Sequence, residues 1–375
     1  MNFEEKINKK IIITGGHVTP ALAVIEEIEH RYPYWSIVFI GRRHAIEGSD
    51  TVSEEYRLIH ERKITFLSLF TGRLQRSFTL YTIVSLLKIP FGILQALYFV
   101  LTIKPAVIIS FGGYIALPVV LAGWFCGVRI LTHEQTLNPG LANRIIAFFA
   151  STICVSYEEV RKYFPDTKTI VTGLPIRKSL FQTVKKSPFS FGLPLFPMLY
   201  ITGGSTGAMS LNELIYPIVA TLSRSFVIIH QVGRLSFERA SLIKKSLPLK
   251  QQSRYVVTSY LDESEHAWAL QHATLVIGRS GANTTGELAS IGAVSILIPL
   301  PWSGGHEQTK NAQYVAQNGG ALVLNQQDIS SKELVITIHT LLSDYARYKN
   351  KAKNFSKHYN RDGATRIVDA LVTIL

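Results

Sequence analysis

Residues 10–28 read KIIITGGHVTPALAVIEEI, and residues 198–210 read MLYITGGSTGAMS. In the first stretch an apolar run, Lys10 to Ile13, breaks at Thr14-Gly15-Gly16-His17. A helical pattern follows, with Ala21, Leu22, Val24, Ile25 and Ile28 on one face. Strand, glycine turn and helix open a nucleotide-binding α/β unit. The second stretch repeats that grammar through Gly203 and Gly204, with a helix from about Ser210. Two halves of similar size that start alike predict two doubly wound α/β domains in series, facing each other across a cleft.

Outward from these anchors, apolar runs alternate with helical patterns. Val107–Ser110, Val128–Thr132 and Ile153–Val155 read as strands of the first half. Phe226–His230, Tyr255–Val257, Leu275–Ile277, Ser295–Ile298 and Ala321–Leu324 read as strands of the second. This rhythm implies parallel sheets covered on both faces. The proline-rich stretch Lys185–Pro197 reads as a surface loop near the domain join. The expected boundaries are 1–176 for an N-terminal domain, 177–350 for a C-terminal domain and 351–375 for a terminal helix able to pack back on the first.

Composition narrows the function. With 375 residues, 47% of them apolar and 17% charged, the chain can bury two cores. Its two cysteines, Cys126 and Cys154, lie in apolar stretches without metal-ligand spacing and read as reduced, buried thiols. A net charge of +13 asks for an anionic partner. The basic residues are scattered pairs, Lys9-Lys10, Arg42-Arg43, Lys185-Lys186 and Lys244-Lys245, with no nucleic-acid motif among them, so no nucleic acid is expected. An anionic membrane surface fits better. The N-terminal Met1–Lys6 carries acids and no apolar run, unlike a signal peptide. From Leu80 to Leu101 the only charge is Lys88, with Pro90 and Gly92 inside the run. It reads as one apolar helix, or two short ones, packed in the domain with a face towards lipid rather than as a span.

Chemistry concentrates at strand ends. Gly203 to Ala208 can cradle phosphate, because bare backbone approaches closely and the next helix presents unpaired N–H groups. The strongest block is Gly278-Arg279-Ser280-Gly281-Ala282-Asn283-Thr284-Thr285-Gly286-Glu287, which follows a strand and opens a helix with small residues. Glu287 is placed to accept hydrogen bonds from ribose hydroxyls. After Pro299-Leu300-Pro301 comes Gly304–Ala312, where Glu307, Gln308 and Asn311 suit sugar hydroxyls. In the first half, Phe111-Gly112-Gly113-Tyr114 and Thr132-His133-Glu134-Gln135 follow strands too. No Asp-x-Asp occurs, so no carboxylate-held metal is expected, and neither glycine turn has the GxGxxG spacing of a dinucleotide site, so no cofactor is expected either. Leaving-group charge then falls to helix N-termini and to Arg177 and Arg279.

These blocks resemble the bacterial MurG family, the UDP-N-acetylglucosamine:undecaprenyl-diphospho-muramoylpentapeptide N-acetylglucosaminyltransferases. The resemblance runs nearly end to end: TGGHVTPALAV (14–24), SFGGYIALP (110–118), HEQTLNPGLANR (133–144), TGLPIR (172–177), GGSTGA (203–208), HQVGR (230–234), GRSGANTTGEL (278–288) and HEQTKNA (306–312). It implies a GT-B fold, inversion at the anomeric carbon, no metal, and peripheral action at the cytoplasmic face of the cell membrane. The implied donor is UDP-N-acetylglucosamine and the implied acceptor an undecaprenyl-diphosphate-linked muramoyl-pentapeptide, lipid I. By the same resemblance Ser205 and Arg177 contact the donor phosphates and Leu261 the uracil through its backbone. Ala282, Asn283, Thr284, Thr285, Gly286 and Glu287 hold diphosphate and ribose, and Gln308 holds the sugar. Thr14, Gly15, Gly16 and His17 sit by the reacting centre. The chain departs from the family at its first glycine loop, reduced to TGGH, and at Thr136, where the family has asparagine, with Asn138 two residues on.

For the base that takes the acceptor hydroxyl proton, His17 and Glu134 are the candidates. Three alternatives stay open: a related transferase making a glycolipid from diacylglycerol, a UDP-sugar epimerase of the same architecture, and a non-catalytic membrane partner.

Overall fold

The computed structural model describes residues 8–44, 52–72, 80–183, 186–189, 196–204 and 207–375, with side chains 80–86 left aside. The expectations for Met1–Lys6, Ser205 and most of the Lys185–Pro197 loop lie outside the described residues, as do Arg73 and Arg76, the basic residues expected to border the apolar Leu80–Leu101 run on its membrane-facing side. Contacts divide the chain into two compact units, Met1–Arg177 with Asn360–Leu375, and Lys178–Tyr359.

The first unit runs β1 (Lys10–Thr14), α1 (Val18–Arg31), β2 (Ser36–Gly41), α2 (Glu54–Glu61), β3 (Thr65–Ser68), α3 (Leu80–Ile103), β4 (Val107–Ser110), α4 (Gly113–Phe125), β5 (Arg129–Glu134), α5 (Leu141–Phe149), β6 (Thr152–Val155) and β7 (Thr169–Val171). Its seven strands are all parallel, in the order β3-β2-β1-β4-β5-β6-β7. The order reverses between β1 and β4, where Thr14 pairs with Ser110. Open parallel sheets bind ligands just beyond the strand ends at such a reversal.

The second unit runs β8 (Met198–Thr202), α6 (Met209–Ile215), α7 (Val219–Leu222), β9 (Val227–Gln231), α8 (Phe237–Ser246), α9 (Leu249–Gln252), β10 (Tyr255–Thr258), α10 (Glu263–His272), β11 (Leu275–Gly278), α11 (Ala282–Ile291), β12 (Ser295–Leu297), α12 (Glu307–Asn318), β13 (Ala321–Val323), α13 (Ser331–Ser343) and α14 (Tyr345–His358). Its sheet repeats the pattern as β10-β9-β8-β11-β12-β13, with Thr202 paired to Gly278 at the reversal. The repeated glycine turn thus marks the equivalent point of two separate sheets.

The last helix, α15 (Gly363–Thr373), belongs to the first unit. Ile367, Val368 and Leu371 are fully buried in the same core as Ile11, Ile13, Ile25 and Ile28. Thr365 donates to Glu27 at 3.1 Å, and Arg31 meets Asp369 at 2.6 Å. The buried apolar area carries this docking; the exposed ion pair adds little.

The apolar segment forms one helix, α3, with Pro90 inside it. Leu87, Phe91, Leu94, Tyr98 and Leu101 are each more than half exposed. Their spacing of four, three, four and three lines one face. Ala96 and Val100, from another face, are buried. Among the described residues no helix is long and apolar enough to cross a membrane.

Candidate functional site

In the first unit the β1 turn and the β4 turn touch. A Cβ on Gly16, whose φ is +136°, would lie 2.3 Å from the Gly112 carbonyl oxygen, so only glycine permits this crossing. Gly15 N–H donates to Ile40 at 2.7 Å. Beneath the turn lies a residue that no local pattern marks, Glu55. Its carboxylate accepts the N–H of Arg42 at 2.5 Å and that of Gly16. Burial raises its pKa, and those two N–H bonds act in the opposite direction. Ser53 caps α2 by accepting from Tyr56 and donates to the Arg42 carbonyl, which holds Glu55 in place.

His17 stands before α1, exposed and without a side-chain cap bond to the helix. Although its surface reaches solvent, dense protein around the ring pushes its pKa down to about 4. His133, fully buried, is also lowered to about 4, first by burial and further by the nearby His17 imidazole. Both rings are neutral at neutral pH. His133 Nε2 meets the Gly173 carbonyl and the Ser156 hydroxyl, each at 3.3 Å. The nearness of His17 to His133 brings together two of the blocks read from the sequence, 116 positions apart; of the two histidines only His17 has an expected role there.

The other base candidate, Glu134, is 3% exposed. Its Oε1 accepts from the N–H and hydroxyl of Thr136 at 2.9 and 2.7 Å. Its Oε2 accepts from Gly140 N–H at 3.2 Å and Asn143 Nδ2 at 2.9 Å. Burial raises its pKa and these bonds lower it. With four donors on two oxygens, Glu134 knits the loop after β5 rather than facing a substrate. Thr136, the departure from the family pattern, supplies two of the four.

In the second unit the Gly278–Glu287 turn opens α11. Gly281 offers no side-chain cap, so the first N–H groups of a ten-residue helix stay available to an anion. Ser280 draws the neighbouring candidates together. Its hydroxyl donates to the Gln308 carbonyl at 2.8 Å, and Asn311 Nδ2 donates to its carbonyl at 3.2 Å. Gln308 Oε1 accepts from Leu300 N–H at 2.9 Å, which orients its amide. Ala282, Thr285 and Gly286 are buried, while Asn283 and Thr284 are half-buried. Thr285 bonds back to Gly281 and Ala282 and so serves its own helix. Leu261 is buried between β10 and α10, and Arg177 is half-buried at the end of the first unit.

Arg279 is 4% exposed and turned inward. One terminal nitrogen donates to the Ile298 carbonyl at 2.8 Å; the other donates to Ser210 and Gln326. Burial lowers its pKa to about 10. Its guanidinium braces the turn from below, a different use from the phosphate contact expected of it. Glu287 carries an unexpected partner as well: His266 Nε2 lies 2.9 Å from its carboxylate.

Some of the buried polar atoms without a hydrogen-bond partner among the described residues lie at or beside the reversals: Thr14 Oγ1, His133 Nδ1 and Gln135 Oε1 in the first unit, and Arg279 Nε, Asn283 Oδ1 and Asn311 Oδ1 in the second. Others, such as Trp35 Nε1, Thr71 Oγ1, Arg161 Nε and Ser295 Oγ, lie away from them. An unpaired buried polar atom forfeits its hydration, so those at the strand ends suit a polar ligand.

Residues 12–155 match the glycosyltransferase family 28 N-terminal domain, and residues 198–367 match its C-terminal domain. The UDP-N-acetylglucosamine--N-acetylmuramyl-(pentapeptide) pyrophosphoryl-undecaprenol N-acetylglucosamine transferase 2 of Bacillus cereus is 32% identical, over 93% of this chain and 96% of its own. The transferase of the same name, without the number, from Clostridium tetani is 30% identical over 97% and 98%. Among solved structures, Acinetobacter baumannii MurG shares the fold, with a TM-score of 0.68 at 24% identity, over 96% of this chain and 98% of that one. A putative UDP-N-acetylglucosamine 2-epimerase from Listeria monocytogenes also shares it, at 12% identity and a TM-score of 0.65, over 97% and 96%. Identity above 30% with a relative matched along nearly its whole length, and a family domain on each half, make the chain a member of glycosyltransferase family 28.

Proposed function

We propose that this enzyme transfers N-acetylglucosamine from UDP-N-acetylglucosamine to the 4-hydroxyl of the muramoyl-pentapeptide of lipid I, forming lipid II for peptidoglycan. The observation that carries the reading is that the sheet reversal of each unit, on a domain of a sugar-transferring family, presents unpaired buried polar atoms, Thr14 Oγ1 in the first and Asn283 Oδ1 and Asn311 Oδ1 in the second. The relatives' names supply the donor and acceptor classes.

On the second unit, the N–H groups opening α11 receive the donor diphosphate; the family resemblance adds Ser205, outside the described residues, and Arg177, the last residue of the first unit, as further contacts. Glu287 accepts ribose hydroxyls, Leu261 meets uracil through its backbone, and Gln308 with Asn311 holds the sugar. These fixed dipoles stabilise charge as UDP departs, without reorganising. On the first unit, Thr14, Gly15 and Gly16 receive the acceptor diphosphate beside His17. The acceptor hydroxyl attacks the anomeric carbon from the face opposite UDP, the carbon–oxygen bond to UDP breaks, and configuration inverts.

His17 takes the hydroxyl proton. It is exposed and uncapped, whereas Glu134 is saturated by donors. An imidazole can take the proton as bond formation acidifies the hydroxyl.

The enzyme works as a peripheral protein at the cytoplasmic membrane face. The exposed stripe on α3, with Phe125 and Phe148 at 76% and 81% exposure, enters the headgroup region next to the lipid-linked acceptor. Anionic headgroups complement the basic chain.

A transfer assay with labelled UDP-N-acetylglucosamine, chelator, and either a lipid I analogue or diacylglycerol tests the reading. Label on the lipid I analogue is expected. Transfer only to diacylglycerol overturns the acceptor, and UDP release without transfer to either leaves only the donor half.

A further inference from the structure

Four side chains form a hydrogen-bonded line through the second unit. Gln231, at the end of β9, accepts the hydroxyl of Tyr200 at 2.8 Å and that of Thr202 at 3.2 Å, both from β8. The Tyr200 phenol oxygen lies 2.9 Å from Nδ1 of His266 on α10. His266 Nε2 lies 2.9 Å from Oε2 of Glu287 on α11. The carboxylate can only accept, so Nε2 carries the hydrogen of that bond. The single Tyr200 hydroxyl hydrogen is shared between Gln231 Oε1 and His266 Nδ1, so the ring is held chiefly at Nε2, by the carboxylate, and rests at Nδ1 against the fully buried Tyr200.

A glutamate has several rotamers of similar energy, and a ligand that needs one must select it. The His266 side chain is 20% exposed and that of Glu287 11%, so the contact sits at the rim of the turn rather than in the deep core. The bond from His266 restrains the carboxylate and so the direction in which it can meet a ligand. We propose that His266 is a positioning residue of the donor site. It holds Glu287 for the ribose diol and so sets the preference for a ribonucleoside diphosphate over one that lacks those hydroxyls. The inference rests on the reading that Glu287 accepts ribose hydroxyls.

The test compares dissociation constants for UDP and 2′,3′-dideoxy-UDP, by calorimetry on the full chain. The proteins are the parent, Glu287→Ala, His266→Ala, His266→Gln and His266→Asn. A glutamine amide nitrogen replaces Nε2 and reaches Glu287; an asparagine amide replaces Nδ1 and reaches Tyr200 only. The parent should prefer UDP on the order of tenfold or more, a loss typical of hydrogen bonds to a charged group. Glu287→Ala should abolish the preference, His266→Ala and His266→Asn should cut it several-fold, and His266→Gln should keep most of it. If Glu287→Ala loses the preference while His266→Asn retains it, the positioning role is wrong and the ribose reading stands. If Glu287→Ala itself retains the preference, the ribose reading falls and the inference with it. Should His266→Ala not fold, the Gln and Asn pair decides alone.

Discussion

The carboxylate of Glu55 stands 2.7 Å from the point where a side chain on Gly15 would begin. Two residues 40 positions apart are thereby fitted to each other: the glycine exists so that the acid can approach, and the acid holds the turn through the Gly16 and Arg42 N–H groups.

Gly15→Ala should therefore displace Glu55 and disturb the turn. We expect kcat/KM for a lipid I analogue to fall roughly ten- to a hundredfold, with UDP affinity unchanged. Adding Glu55→Ala to Gly15→Ala should recover part of the loss. Gly16→Ala should show no such recovery, because its Cβ would meet backbone, the Gly112 carbonyl, rather than a side chain. Steady-state kinetics beside UDP calorimetry separates these outcomes. Equal losses of UDP affinity would contradict the assignment of this turn to the acceptor.

His17 and Glu134 should fail in different ways. His17→Ala should keep its stability and lose about 10²–10⁴-fold in turnover, the usual worth of a proton-transfer group. Glu134→Gln puts an amide NH2 among four donors and should lower unfolding free energy by about 1–3 kcal/mol. Urea denaturation and single-turnover transfer, run on both variants, check this. Near-normal turnover in His17→Ala would remove it as the base.

Acid should destabilise the protein through its buried imidazoles. His230, fully buried, bonds Tyr255 at 3.0 Å and Asn212 at 3.1 Å, and burial lowers its pKa to about 3. Unfolded, it binds a proton near its ordinary 6.5; folded, it does not until about 3. Between those values the unfolded state holds more protons, so stability falls as pH falls. His133, lowered to about 4, adds to the same decline. His230→Gln should make the fall in denaturation midpoint between roughly pH 6.5 and 4 shallower, whatever its effect on absolute stability. An unchanged slope would mean that His230 does not titrate there.

The α3 stripe should govern membrane binding without governing the fold. Phe91 and Leu94 are 67% and 63% exposed. Replacing both with glutamate should weaken cosedimentation with phosphatidylglycerol vesicles by about tenfold or more, since buried apolar area and headgroup attraction are both lost. The thermal midpoint should barely move. Undiminished binding would place the lipid contact elsewhere.

Much of this architecture is legible in the chain because it is local. Val107–Ser110 and Leu275–Ile277 are uninterrupted apolar runs, and both observed strands begin where those runs begin. Strands β2, β3 and β7 carry a weaker signal, since Ser36–Gly41, Thr65–Ser68 and Thr169–Val171 are only partly buried. The Leu80–Leu101 run is one helix, which Pro90 inside it does not end. Site residues fared by the same rule. The glycine turns announce themselves by spacing, but whether Arg279 faces a phosphate or the Ile298 carbonyl depends on Ser210 and Gln326, far away in sequence. Glu55 and His266 act through partners 40 and 21 positions distant and leave no local trace.

The return of α15 to the first unit bears on how the enzyme is made. The second unit is one continuous stretch, complete once Tyr359 has emerged from the ribosome. The first unit is translated ahead of it, yet lacks Ile367, Val368 and Leu371 until α15 follows the second unit off the ribosome. Domains ordinarily mature in the order of their synthesis. Here the half that is translated first closes its core after the half that is translated second, and until then the α1 surface that α15 covers stays bare.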